Sequence, residues 1–432
     1  MKKKITIALC AALAIALLSA CDAAGGGGSP AATAETPQAA PEAGAEVATV
    51  EGSNLTFWHW DINMQEQYEL IFAEFYEQTG ILVEQSITPW GDYWTNLATA
   101  LPAGAASDIF WLNHPNAVTY VPSGLILDLT DFNLDMSGFV PALYEPFMFE
   151  GRLHGVAVFF DTIALFYNKD LFDEAGVPYP PHRGWTWDEF RDAARQLTQV
   201  AGNEVMVYGA AFTASLQSGS SNFIRQNGGE FLSDDRTQFH FDSPEILEAL
   251  RYWHDMIWVD GVALNPAEPG WSNFFLNSMS AMEINGMWRV STNYEYLGDR
   301  LGVAHLPMRS REANTFHSVA HVASASTQNP EGVRLFMEFS TTSTLGDYFA
   351  PIFLPTHDDS QQLWIDRFPD LNLNVFTEAA EIARPLAVPY MNAGAVWTFG
   401  EQEMSRLFSV ADEITMEALT EITNNMNEMI YQ

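Results

Sequence analysis

The chain reads as an α/β protein of two lobes, and three observations predict this. Near its start, strand, helix, strand, helix and strand patterns follow one another between Leu55 and Leu112. The middle of the chain repeats the logic, with apolar runs at Val156–Phe160 and Ile163–Tyr167 ahead of new helical patterns. About 380 residues lie beyond an unfoldable N-terminal tract, more than a single core holds comfortably.

The elements follow from spacing. Leu55–Trp58 is a short apolar strand. Met64, Tyr68, Ile71, Phe72 and Phe75 recur at helical intervals, and Gly80 stops that helix. Ile81–Ile87 reads as the next strand. Tyr93, Trp94, Leu97, Ala98 and Leu101 mark a second helix, closed by Pro102 and Gly104, before the strand Asp108–Leu112. Thr186 with Glu189 forms a capping-box pattern ahead of Phe190, Ala193, Ala194 and Leu197. Ser243-Pro244 and Asn329-Pro330 each start a helix with proline in its first turn. Glu401 to Ile430 reads as helical, and Trp258 and Trp364 are expected in the core.

The N-terminus carries its own information. Lys2, Lys3 and Lys4 precede an apolar run from Ile5 to Leu18, the layout of an export signal over residues 1–20. The run ends in Leu18-Ser19-Ala20-Cys21, which resembles a bacterial lipobox. The resemblance implies that Cys21 receives a diacylglyceryl group and becomes the first mature residue. The only other cysteine, Cys10, lies inside the signal, so no disulfide is expected. Residues 21–53, rich in Ala, Gly, Pro and Glu, read as a disordered tether. Its reach is on the order of 30 Å as a flexible coil.

The formal net charge is −36, and Lys169 is the only lysine beyond Lys4. Such a balance argues against nucleic acid as a partner and against a basic membrane-docking face.

Four segments then resemble, in order, the sugar-binding class of extracellular solute-binding proteins that serve ABC transporters. They are LTFWHWD at 55–61, the run at 106–132 ending in GLILDLTDF, DTIALFYNKDLFDEAGVPYP at 161–180, and FFLNSMSAMEINGMW at 274–288. Ser278 stands where the family usually has glycine. The resemblance implies a two-lobed periplasmic-binding-protein-like fold with a hinge of about three crossovers and the ligand between the lobes. Lobe one is expected at 54–159 plus 306–349, and lobe two at 162–305 plus 351–432. The hinge is expected near Phe160–Thr162. A monomer, an ABC permease partner and no cofactor are implied.

A sugar presents hydroxyls, which need donors and acceptors, and C–H faces, which need flat apolar partners. In an open α/β sheet such groups meet at the carboxyl ends of strands. The loop after the first strand offers His59, Trp60 and Asp61, and the one after the third offers Trp111, Asn113 and His114. By resemblance, Asp161 is the carboxylate at the first crossover, and Trp288 is a stacking aromatic. Trp397 and Arg384 are further candidates. With 13 tryptophans in the chain, most must be structural. His317 and His321 have helical metal-ligand spacing, but their β-branched and small neighbours favour a strand, and no metal motif supports a site. Two other functions compete. A glycosidase would draw its acid and base from Asp61, Asp161 and Glu283. An acidic, aromatic cleft would also suit a polyamine.

Overall fold

The computed structural model describes residues 54–389 and 391–431. The export signal, Cys21 and the tether lie outside them. Eleven strands matter for the site: β1 (Leu55–His59), β2 (Val83–Ile87), β3 (Ile109–Asn113), β4 (Gly155–Asp161), β5 (Ile163–Asn168), β6 (Ala211–Phe212), β7 (Met282–Gly286), β8 (Leu301–Ala304), β9 (Asn314–Ala323), β10 (Leu354–Pro355) and β11 (Ala383–Pro385). They form two sheets. The first runs β10-β4-β9-β3-β1-β2, with β11 beside the start of β9. The second runs β6-β7-β5-β8.

Strands β1, β2 and β3 are mutually parallel, as a strand–helix alternation requires. The helix Gln65–Thr79 buries Tyr68, Ile71, Phe72 and Phe75, the expected face, and ends on Gly80 at φ 72°. The capping box at Thr186 is present in full. Ser243 and Asn329 cap their helices through their side chains, each with proline in the first turn. The C-terminal stretch differs from the single helical tract expected. It forms two helices, Ala393–Ser409 and Met416–Ile430. Val410 takes an extended conformation between them, and Thr415 caps the second.

Strands β4 and β5 are buried at every residue, yet they belong to different sheets. Thr162 alone separates them. Its hydroxyl donates to the Phe376 carbonyl at 2.9 Å. The next passage between the sheets runs from β8 to β9, and Asn314, the first residue of β9, ties the two passages together. Its amide accepts from Ile163 N–H at 3.0 Å and donates to the Ile163 carbonyl at 2.7 Å. After residue 349 the chain departs from the expected boundaries. β10 pairs with β4, and the helix Asp358–Ile365 packs on β10. Residues that were expected to open lobe two therefore extend the first sheet and its cover.

Trp364 is fully enclosed, as expected. Trp258 is not: the residue is 38% exposed and its indole N–H donates to the Phe408 carbonyl. Ser278 sits at φ 57°, where glycine is unstrained, and its hydroxyl accepts from Asn168 Nδ2 at 3.0 Å. Among the described residues, no helix is long and apolar enough to cross a membrane.

The Asn314 clamp is testable. Asn314→Ala strands a buried N–H and a buried carbonyl at Ile163, and the expected loss is on the order of 2–4 kcal/mol of folding stability. Urea denaturation of the variant measures it. A change within error of zero would mean that the clamp adds nothing to the junction.

Candidate functional site

A cleft of about 610 Å³ opens between the two sheets. One wall comes from the ends of β1, β4 and β9 and from the segment before β10. It carries Trp60, Asp61, Asp161, His317 and the apolar floor of Phe159, Val319 and Phe353. The other wall follows β7 and carries Met287, Trp288, Arg289, Thr292 and Glu295, joined by Gln217. Trp90 stands at the rim.

Each group is held from behind. Trp60 is braced edge-on by Trp111 at 4.8 Å and by Trp90 at 5.2 Å between ring centroids. The Trp111 N–H donates to the Tyr68 hydroxyl. That hydroxyl lies 2.8 Å from His321 Nε2, and His321 Nδ1 lies 2.9 Å from Ser340 Oγ. Burial pushes the His321 imidazole down to about 3, so it stays neutral; the Ser340 hydroxyl donates to the Phe336 carbonyl, which leaves the His321 proton on Nδ1 and the acceptor at Nε2. Asp61 accepts from Asn63 N–H at 2.9 Å and from the Asn63 amide at 2.8 Å. Burial nevertheless raises its carboxyl above the ordinary value.

Trp288 follows Gly286 by two residues and folds back over it. A Cβ on Gly286 would fall 2.0 Å from the indole ring, so only glycine admits this pose. The residue remains 37% exposed. Arg289 lies beside it, 3.4 Å from the buried carboxylate of Glu283. Glu283 also accepts from Asn285 and Asn293 at 3.0 and 2.9 Å, and it does not line the cleft.

Gln217 rides on a π-helical turn, Leu216–Ser220. Its amide donates to Asp161 Oδ1 at 3.4 Å, bridging the two walls. Gly219 is required here, since a Cβ would meet the Thr213 carbonyl oxygen at 1.9 Å. Glu401, from the helix Ala393–Ser409, holds the start of this turn. It accepts from Leu216 N–H at 2.9 Å and from the Ser215 hydroxyl at 3.2 Å. Burial pushes its carboxyl up to about 7.

Of the ten residues expected at the site, the cleft gathers Trp60, Asp61, Asp161 and Trp288. The other six lie elsewhere. Trp111 is fully enclosed and serves as the brace behind Trp60. His59 is buried, bonded to Gln85 at 3.2 Å, and pushed down to about 4 by burial. Asn113 spends its side chain on the helix His114–Tyr120, accepting from Asn116. His114 is enclosed and held well below its ordinary pKa by burial. Arg384 faces solvent and pairs with Glu230 at 3.2 Å. Trp397 packs among Val118, Val388 and Ala393.

The reading from sequence also missed His317, Gln217, Arg289 and Trp90. His317 and His321 do sit on a strand, β9, as their neighbours suggested. Among the described residues, His182, His305 and Glu378 form one group with metal-ligand spacing. It lies outside the cleft lining, and Arg183 already stands 3.3 Å from the Glu378 oxygen that both histidines approach.

Two sheets, crossovers between them and a polar, aromatic cleft at the junction define a two-lobed ligand-binding fold. Residues 61–344 match the model of the bacterial extracellular solute-binding protein family, and the chain belongs to that family. It is 24% identical over 301 residues to the maltotriose-binding protein of Pyrococcus abyssi, covering 67% of this chain and 62% of that protein. It is 24% identical over 275 residues to the arabinooligosaccharide-binding protein of Halalkalibacterium halodurans, covering 60% of each. The chain spans about half the length of the first curated relatives it matches, 44% in the case of the Brucella proteins. Among solved structures, the Listeria monocytogenes ABC substrate-binding protein in complex with cycloalternan superposes with a TM-score of 0.79 at 24% identity, over 87% of this chain and 98% of that one. This similarity shows the fold, that of a two-lobed periplasmic binding protein.

Glu401 makes a pH prediction. Folded, its carboxyl keeps its proton up to about pH 7, whereas the ordinary value is 4.5. Between those values the folded state binds the extra proton, so this group's contribution to stability falls as pH rises. Glu401→Gln keeps an oxygen acceptor without the charge. It should flatten that fall and be more stable than the parent above pH 7. Thermal unfolding from pH 4.5 to 8 reads the difference; parallel curves for parent and variant would contradict it.

Proposed function

We propose that the protein is a lipid-anchored sugar-binding protein. It captures a mono- or oligosaccharide at the outer face of the cell membrane and presents it to an ABC transporter permease. The observation that carries this reading is the pairing, within one cleft, of the indoles of Trp60, Trp90 and Trp288 with the polar groups of Asp61, Asp161, Gln217 and His317. Flat rings suit the C–H faces of a pyranose, and the polar groups suit its hydroxyls. The names of the relatives point the same way, to maltotriose and arabinooligosaccharides. Contacts from both walls favour closure around a ligand, because only the closed form satisfies them together. Binding suffices for this role. Glu283, which a glycosidase reading would enlist, is occupied by Asn285, Asn293 and Arg289 away from the cleft.

A polyamine is the second reading. Asp61, Asp161 and Glu295 face a single arginine, Arg289, in the cleft lining. A thermal-shift panel of maltotriose, an arabinooligosaccharide and spermidine on the protein from Asn54 onward separates the two, since a ligand of the folded state raises its stability. Stabilisation by spermidine and by neither sugar would overturn the sugar reading.

Trp288→Ala should weaken sugar binding about 10- to 100-fold, taking the ~1–3 kcal/mol of base stacking on an aromatic as the nearest measured analogue. Its partial exposure predicts only a modest loss of stability. Trp111→Ala, a core truncation, should cost on the order of 3–5 kcal/mol of folding stability. Calorimetric titration and denaturation on both variants distinguish platform from brace, and the opposite ranking would reverse the assignment.

The anchor is tested separately. Cys21→Ser should release the protein from the membrane fraction or leave it uncleaved. Mass spectrometry that still finds a diacylglyceryl group on the variant would rule out Cys21 as the attachment site.

A further inference from the structure

His317 is the least expected group in the cleft. It sits directly opposite Asp161 in the pairing of β9 with β4. Its Nδ1 lies 3.0 Å from Asp161 Oδ2, and its side chain is only 5% exposed. The other ring nitrogen, Nε2, is buried and has no hydrogen-bond partner in the protein. The ring nevertheless lines the cleft.

An ionised carboxylate only accepts hydrogen bonds, so a neutral imidazole beside it carries its proton on Nδ1. Nε2 is then a bare lone pair. A buried acceptor without a partner is costly, and native proteins leave few of them. The same carboxylate receives the Gln217 amide on its other oxygen at 3.4 Å. Asp161 is thus held from two sides, one bond fixing the imidazole and the other reaching the opposite wall.

We propose that His317 Nε2 is a ligand-recognition acceptor, held in that tautomer by Asp161, and that it takes a hydroxyl proton donor from a neutral polyol or sugar. This rests on the sugar-binding reading and deepens it. An acceptor at this point disfavours ligands that present only acceptors there, such as carboxylates and phosphates. Asp161 is thereby a positioning residue for His317 as well as a contact in its own right.

Two isosteres separate the roles of the ring nitrogens. The amide of asparagine overlays Nδ1, so His317→Asn keeps the bond to Asp161 and removes the acceptor. The amide of glutamine overlays Nε2, so His317→Gln restores an oxygen in the cleft. Calorimetric titration with maltotriose and arabinotriose should show at least a ten-fold loss for His317→Asn and recovery of most of it in His317→Gln. Monodeoxy analogues of the sugar that binds supply a double-mutant cycle. The analogue lacking the recognised hydroxyl should lose affinity for the parent and lose little more for His317→Asn.

The tautomer is read without any ligand, by long-range ¹H–¹⁵N NMR of the free protein near neutral pH. A protonated Nδ1 and a bare Nε2 are expected. Protonated Nε2 would overturn the proposal whatever the sugars do. A bare Nε2 with unchanged affinity in His317→Asn would overturn it equally. If neither sugar binds the parent, the sugar reading fails and the recognition role fails with it, a result distinct from a wrong tautomer in a protein that binds.

Discussion

The polar side of this site depends on how the chain crosses from one sheet to the other in a single residue. Strands β4 and β5 are both wholly buried, so Thr162 has no slack in which to absorb error. The backbone polar groups around it need partners inside the protein, because water does not reach them. Asn314 meets the N–H and carbonyl of Ile163, and Met287 N–H donates to the Thr162 carbonyl at 3.3 Å, while the Thr162 hydroxyl is spent on the Phe376 carbonyl. The crossovers are therefore one hydrogen-bonded knot. Asp161 lies immediately before the knot, and its carboxylate inherits that fixed position. Asp161 then fixes His317 and meets Gln217 across the cleft.

The aromatic side of the cleft is organised differently. Trp60 leans on Trp111, and Trp111 is anchored by a directed series of hydrogen bonds through Tyr68 and His321 to Ser340. The series is oriented throughout, because the Ser340 hydroxyl in turn donates to the Phe336 carbonyl at 2.8 Å. A neutral His321 suits this arrangement, and its burial keeps it neutral. The platform facing the ligand is thus backed by polar groups that have no contact with it. Trp288, on the opposite wall, relies instead on a close approach to the Gly286 backbone.

Much of the fold was legible because it is local. Helical spacing, caps and a glycine stop are set by neighbours a few residues away, and Thr186, Ser243 and Asn329 behave as their sequence contexts imply. Trp60 was legible for a similar reason, since it follows a short apolar strand, whereas Trp288 was legible through the family resemblance of the turn that it closes. Trp111 and Asn113 were read as lying in the loop after the third strand, but both belong to β3 itself. β3 is buried throughout, and its last residue serves as a helix cap. His317 and Gln217 were illegible because their meaning comes from Asp161, 156 and 56 residues away in sequence. The boundary after residue 349 failed likewise: the two-residue strand β10 carries no periodicity, and only its pairing with β4 reveals it.

The scarcity of lysine has a practical side. Beyond Lys4 the chain offers amine-directed chemistry a single side chain, Lys169. It opens the helix Lys169–Ala175, directly after β5, and its ammonium donates to the Asp299 carbonyl at 3.0 Å. It is absent from the cleft lining. A succinimidyl ester of a fluorophore thus has one side-chain target in the folded part, fixed to the second sheet. The scarcity of lysine thus makes the folded part, without engineering, a substrate for labelling at one side chain and for oriented attachment to a surface through it.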